Sequence, residues 1–199
     1  MKINRNKRIG RVLFIVEGSR TEFALLRRIF CNLFGYSYIE KRRNRPDFFV
    51  STQDPYSQVA VINTKESNIC YISESEDFLD EIMDALRDRY HFPVDQSAIY
   101  YLFDRDPKSN QEVCRIQHYV DTLVDPYDNP NHYKAGQLLL SYPSIESYII
   151  SNFIDGSAAI RFSLGSEARA YIGQHPEIQL NKITEKTLIH AAEEFLKYL

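Results

Sequence analysis

Four acidic residues stand where apolar runs end. Glu17 follows the run Arg11–Val16 (RVLFIV) and precedes Gly18. Asp104 and Asp106 follow Ser97–Phe103 (SAIYYLF), in the order Asp104-Arg105-Asp106-Pro107. Glu146 lies just beyond the short run Gln137–Leu140. Carboxylates gathered in one place repel one another unless they are protonated or neutralised by a cation. A hard cation with oxygen ligands is the economical partner, and Mg²⁺ is commonly held by one or two carboxylates plus substrate phosphates. Two such ions, roughly 4 Å apart, can clamp the attacking and leaving oxygens of a phosphoryl transfer. The Asp-x-Asp spacing fits this chemistry, because residues i and i+2 at a strand end point the same way. Gly18 allows a sharp turn and close approach of a ligand. The helix start after it, Ser19 to Glu22, offers backbone N–H groups to a phosphate. Arg20, Arg105 and Lys108 are the candidate phosphate contacts.

Each of these residues has a second reading. Glu17-Gly18 is also an ordinary strand-to-helix turn. Asp104 and Asp106 can cap a helix beginning near Ser109. Ser19 and Glu22 have the three-residue spacing of a capping box, which makes Glu22 a cap partner rather than a ligand. Glu146 suits the first turn of a helix as a surface acid. The basic side chains are surface charge by default. His91, His118, His132, His175 and His190 show no metal-binding spacing among themselves, and Tyr100 and Tyr101 read as strand packing.

The elements that must position the acids follow from apolar periodicity. RVLFIV suits a strand buried on both faces. Phe23, Leu26, Ile29, Phe30, Leu33 and Phe34 recur at helical spacing over Ser19–Phe34, with Gly35 as the stop. Short strands are expected at Asp47–Thr52 and at Gln58–Asn63 or Ile69–Ile72, and an amphipathic helix at Glu76–Tyr90. After the second buried strand come a helix at Gln111–Leu123 and a loop at Asp125–His132. A strand at Gln137–Leu140 and a helix from Ser144 follow, and an amphipathic helix at Thr184–Leu199 comes last. This alternation predicts an α/β fold, a mostly parallel central sheet with helices on both faces, and an extra C-terminal helical segment. The division expected is 10–153 for the α/β domain and 154–199 for the helical extension packed on it. Open sheets of this kind bind ligands at the carboxyl ends of their strands, where the acids would converge.

The bulk properties exclude several classes. No stretch of the 199 residues approaches the ~20 apolar residues of a membrane span, and the apolar run near the start carries Glu17, so no signal peptide or anchor is expected. Cys31, Cys70 and Cys114 are widely spread and odd in number, which argues against a disulfide framework and fits small buried side chains in a reducing cytoplasm. Net charge is −3, yet residues 1–50 hold 12 Lys/Arg against 4 Asp/Glu. Such asymmetry marks either a face that meets polyanions or a solvated basic surface.

An apolar strand ending in Glu-Gly (VLFIVEGSRTE), with an apolar strand ending in Asp-x-Asp (AIYYLFDRD) about 85 residues later, resembles the Toprim domain of topoisomerases, primases and OLD-type nucleases. The pattern Glu17-Gly18, two residues, then Thr21-Glu22 is most similar to the RloB-like proteins, which are linked to restriction and phage defence. SYPSIESYII at 141–150 resembles their later motif and makes Glu146 a candidate third acid. Arg20 stands where those proteins often carry Lys, which replaces a point charge by a planar fork. The resemblance covers roughly residues 10–153.

It implies Mg²⁺ or Mn²⁺ held by Asp104 and Asp106, with Glu17 as general base or as ligand to a second ion. The implied activity is nucleic-acid phosphodiester cleavage by a cytoplasmic defence nuclease. Its partners would be DNA or RNA, with a separately encoded ATPase and a homo-oligomeric assembly as open options, and no membrane. Two rival readings stand beside it. One is a phosphoacceptor signalling domain using Asp104. The other is a non-catalytic binding module of the same shape.

Overall fold

The structure is a computed structural model that describes residues 1–4, 7–18, 20–39, 46–63, 83–105, 113–127 and 136–197, without the side chains of 113–115. Strand β1 (Arg11–Val16) lies at the heart of a seven-stranded sheet. It pairs in parallel with β4 (Gln58–Asn63) on one side and β5 (Ala98–Asp104) on the other. Beyond β5 lies β7 (Gly136–Ser141), also parallel. The edges are antiparallel: β2 (Tyr36–Ile39) and β3 (Asp47–Ser51) extend the sheet past β4, and the two-residue β6 (Val124–Asp125) lies outside β7. The order is β2-β3-β4-β1-β5-β7-β6. The sheet is therefore mixed and mostly parallel, within an α/β fold.

Period-two alternation explains why the central strands are apolar throughout. Val12, Phe14 and Val16 face a cluster built with Leu26 and Phe30 from α1 (Thr21–Arg27) and its π-helical continuation Arg28–Leu33. Leu13 and Ile15 face the opposite cluster, with Leu86 from α2 (residues 83–88) and Ile116 and Tyr119 from α3 (Val113–Thr122). Helices thus cover both faces, and each strand residue is buried on one side or the other. The register pairs Val12 with Ala98 and Leu13 with Ile99, so β5 splits the same way. Tyr101 is 1 % exposed and Tyr100 stacks on Phe14 at 5.6 Å, which makes both tyrosines packing residues. Gly35, at φ +71°, ends the first helix in the left-handed region, as expected of a glycine stop.

The C-terminal residues pack on α4 (Ile145–Ser151) rather than on the sheet directly. Ile149 and Ile150 join Ala168 of α5 (Gly165–Gln174) and Ile178 in one cluster. Ile145 joins Leu25 of α1 and Ile183 in another, which Leu188 of α6 (Glu185–Leu196) also touches. α6 opens on a capping box, with Thr184 accepting the Thr187 N–H.

Three elements depart from the expectations: β2, α5 and the two-residue β6, whose Asp125 was expected to begin a loop. The Ile69–Ile72 alternative and the start of the Glu76–Tyr90 helix lie outside the described residues. No described helix is long and apolar enough to cross a membrane.

Candidate functional site

The parallel register brings the ends of β1, β5 and β7 level. Val16 pairs with Leu102, and Asp104 pairs with Ser141. Glu17 and Asp104 consequently meet: the Asp104 N–H donates to Glu17 Oε2 at 2.9 Å, while the Glu17 N–H donates to the Leu102 carbonyl at 3.2 Å. Asp104 continues the even-numbered face of β5, with Leu102, towards α1 and α4. There its Oδ1 accepts the Ile145 N–H at 2.7 Å. The N-cap Ser144 makes no side-chain cap of its own, so Asp104 satisfies the first turn of α4 from 41 residues away. It thus serves α4; the expected helix start near Ser109 lies outside the described residues.

Glu22 is the second surprise. α1 begins at Thr21 with Arg20 as N-cap and no side-chain cap, while Ser19, the expected capping-box partner, lies outside the described residues. Glu22 instead turns inward, is 6 % exposed, and accepts the Gly18 N–H at 3.1 Å. A Cβ on residue 18 would lie 2.4 Å from Glu22 Oε2, so glycine is what lets this carboxylate fold back against the turn. Glu146, likewise 6 % exposed, is no surface acid. Its Oε1 accepts Arg169 Nε at 3.1 Å, and its Oε2 is buried with no hydrogen-bond partner.

The electrostatics record how close these groups are. Burial, and then the charges of Glu17, Glu22 and Glu146, push the Asp104 carboxyl up to about 8, against the opposing effect of the Ile145 N–H. Burial also raises Glu22. Backbone N–H groups and Arg169 work against that rise, and Glu146 adds to it. Without a cation Asp104 therefore holds its proton at neutral pH. The donor set is all carboxylate oxygen, which suits Mg²⁺ or Mn²⁺ rather than a soft metal. Among the described residues, however, no three of these four acids bring ligand atoms within 4.8 Å of one another, so a hard cation would need them to close in, with the unpartnered Glu146 Oε2 as one free donor.

The other expected residues fall differently. Gly18 is in the site. Arg20 is exposed at the start of α1. Arg105 is half-buried, and its N–H donates to the Ser141 carbonyl at 2.7 Å. Asp106 and Lys108 lie outside the described residues. Among those residues, the three potential ligands within 4.8 Å of one another are Asp155, His190 and Glu194. That group brings a histidine to two acids, although the histidine spacing predicted no metal role. It has its own explanation: Glu194 accepts the Gly156 N–H at 2.8 Å and pairs with Lys197, and Asp155 is almost wholly exposed. A cavity of about 720 Å³ lies on the α1 side, walled by Leu25, Ile29, Leu102, Ile145 and Phe195, and none of Glu17, Glu22, Asp104 and Glu146 lines it. Sequence reasoning missed Arg169 entirely and assigned Glu22 to capping.

Comparison with protein-family models, with curated protein sequences and with solved structures returned no match.

Proposed function

We propose that this chain is a divalent-cation-dependent nuclease that cleaves nucleic-acid phosphodiesters. The observation that carries the reading is the gathering of Glu17, Glu22, Asp104 and Glu146 near the carboxyl ends of parallel strands, where burial first and the neighbouring charges second hold Asp104 protonated near neutrality. Partly buried carboxylates set among like charges are a standing cost unless the cluster has a cation to bind. Glu17, Asp104 and Glu146 would hold Mg²⁺ or Mn²⁺, with Asp106 as the fourth candidate from the sequence motif. A bound ion of this type neutralises phosphate charge and makes its water a stronger acid. The chain's own work is positional. The Asp104 N–H fixes Glu17, the Ile145 N–H fixes Asp104, and the Gly18 N–H fixes Glu22. Each carboxylate is thereby aimed before any ligand arrives. The phage-defence setting, the ATPase partner and a cytoplasmic location rest on the Toprim and RloB-like resemblance.

A cleavage panel of plasmid, single-stranded DNA and tRNA, run with Mg²⁺, Mn²⁺ or EDTA, tests the proposal. Cleavage should require the metal and fall by about 100-fold or more in Glu17→Gln and Asp104→Asn. Cleavage in EDTA, or undiminished cleavage by Asp104→Asn, would overturn it. A non-catalytic binding module is the second reading, favoured by the structural bonds that Glu17 and Asp104 already make to backbone N–H groups. It predicts no cleavage of any substrate by the wild type.

A further inference from the structure

We infer that Arg169, on α5 of the C-terminal segment, is a phosphate-binding residue of the acid site. The inference rests on the nuclease reading and extends it to a residue 23 positions beyond Glu146 that belongs to no motif. A cluster of carboxylates repels a polyanionic substrate, so a nuclease built on one needs fixed cations at its rim. Arg20, Arg105 and Lys108 were the ones expected from the sequence. Arg169 is tied to the acid cluster directly: its Nε donates to Glu146 Oε1 at 3.1 Å.

The form of that contact matters. The Glu146 side chain is 7 % exposed and the Arg169 side chain 63 %. The guanidinium is thus tethered at its inner nitrogen and open on its outer edge. A guanidinium has five N–H donors in a planar fork, and Nε accounts for one. No other hydrogen bond to Arg169 occurs among the described residues. The remaining edge has the geometry for a bidentate phosphate contact, which an ammonium lacks.

The helix beneath Arg169 is fixed firmly enough to aim it. The neighbouring Ala168 is fully buried against Ile149 and Ile150 of α4. Four residues earlier, Gly165 meets Ser144 so closely that an added Cβ would lie 3.1 Å from the Ser144 Cβ. Ser144 immediately precedes Ile145, whose N–H binds Asp104. Close packing of Gly165 of α5 on the Ser144 side chain at the start of α4 therefore sets Arg169 relative to Asp104. Residues 154–197 supply part of the site rather than merely covering it.

The test is nucleic-acid binding by fluorescence anisotropy, with labelled oligothymidylate and labelled tRNA, in Ca²⁺ to prevent turnover. Arg169→Gln should weaken binding about 10-fold or more, the loss expected for a charge-assisted contact. It should also reduce the slope of log affinity against log salt by about 0.7 to 0.9. The same factor should appear when Arg169→Gln is made in a Glu146→Gln background, because the lost contact is with phosphate. Arg169→Lys, which keeps the charge and loses the fork, should fall between, and it decides the matter if the Gln variant does not fold. An Arg169→Gln effect that vanishes in the Glu146→Gln background would overturn the inference and leave Arg169 as the counter-ion of Glu146. Wild-type affinity in Arg169→Gln would overturn it too, while cleavage by the wild type keeps the nuclease reading intact. Failure of the wild type both to bind and to cleave would remove that reading and this one together.

Discussion

Replacing Asp104 by Asn should stabilise the metal-free protein at alkaline pH. The Asp104 carboxyl is displaced from its ordinary 3.8 to about 8, chiefly by burial and then by Glu17, Glu22 and Glu146. Folding therefore favours the neutral form. Below 3.8 the group is neutral in both folded and unfolded chains, and its contribution to stability is fully present. Between 3.8 and 8 the folded chain binds one more proton than the unfolded one, so stability falls as pH rises, by about 1.4 kcal/mol per pH unit, and levels off above 8. The full displacement sets an upper bound of about 5 kcal/mol at pH 8. Asp104 keeps some contact with solvent, which screens the charge, so about 2 kcal/mol is the working figure. Asn is neutral at every pH, is nearly isosteric, and keeps an oxygen for the Ile145 N–H. In EDTA, Asp104→Asn should thus melt about 4–8 °C above wild type at pH 8 and within a degree or two of it at pH 4. Mg²⁺ or Mn²⁺ should raise the wild-type melting temperature and narrow the difference. Calorimetry at both pH values, with and without metal, measures all of this. A gap that does not grow with pH, or an Asn variant less stable than wild type at pH 8, would refute the reasoning.

Two glycines give further tests. Gly18→Ala would place a Cβ 2.4 Å from Glu22 Oε2, and the side chain, being the movable partner, should swing away and release the Gly18 N–H. Urea unfolding should then show a loss of about 1–3 kcal/mol, and a change within about 0.5 kcal/mol would mean that Glu22 relaxes freely. Gly136 has φ +131°, and an added Cβ would lie 2.4 Å from Cε2 of Tyr101, which is enclosed in the core. Gly136→Ala should lower stability by about 2 kcal/mol or more in the same assay, and wild-type stability would show that β7 can shift away from β5.

Much of the fold could be read in advance because its core strands are buried on both faces and stand out as unbroken apolar runs. RVLFIV and QVAVIN coincide with β1 and β4 to the residue. β2 escaped notice because YSYI is an edge strand of four residues with only Tyr36 buried. α5 escaped because GSEARAYIGQ puts few apolar side chains on α4, Ala168 chief among them, and helical periodicity is weak when so little is buried. The site divides along the same line. Glu17 and Asp104 were legible because strand ends in a parallel sheet come together by topology. Glu22's place in the site was not legible because the helix starts one residue later than the capping-box spacing suggests, and the burial that draws its side chain inward is tertiary. Arg169 reaches Glu146 only through the packing of α5 on α4, which no local pattern encodes.

The central claim is that Glu17, Asp104 and their neighbours form the cation site, and Mn²⁺ titration calorimetry tests it most directly. Wild type, Asp104→Asn and His190→Ala should be compared, the last because Asp155, His190 and Glu194 offer the rival ligand set. Binding that persists in His190→Ala and is lost in Asp104→Asn is the predicted result. Binding lost in His190→Ala and unchanged in Asp104→Asn would contradict the account.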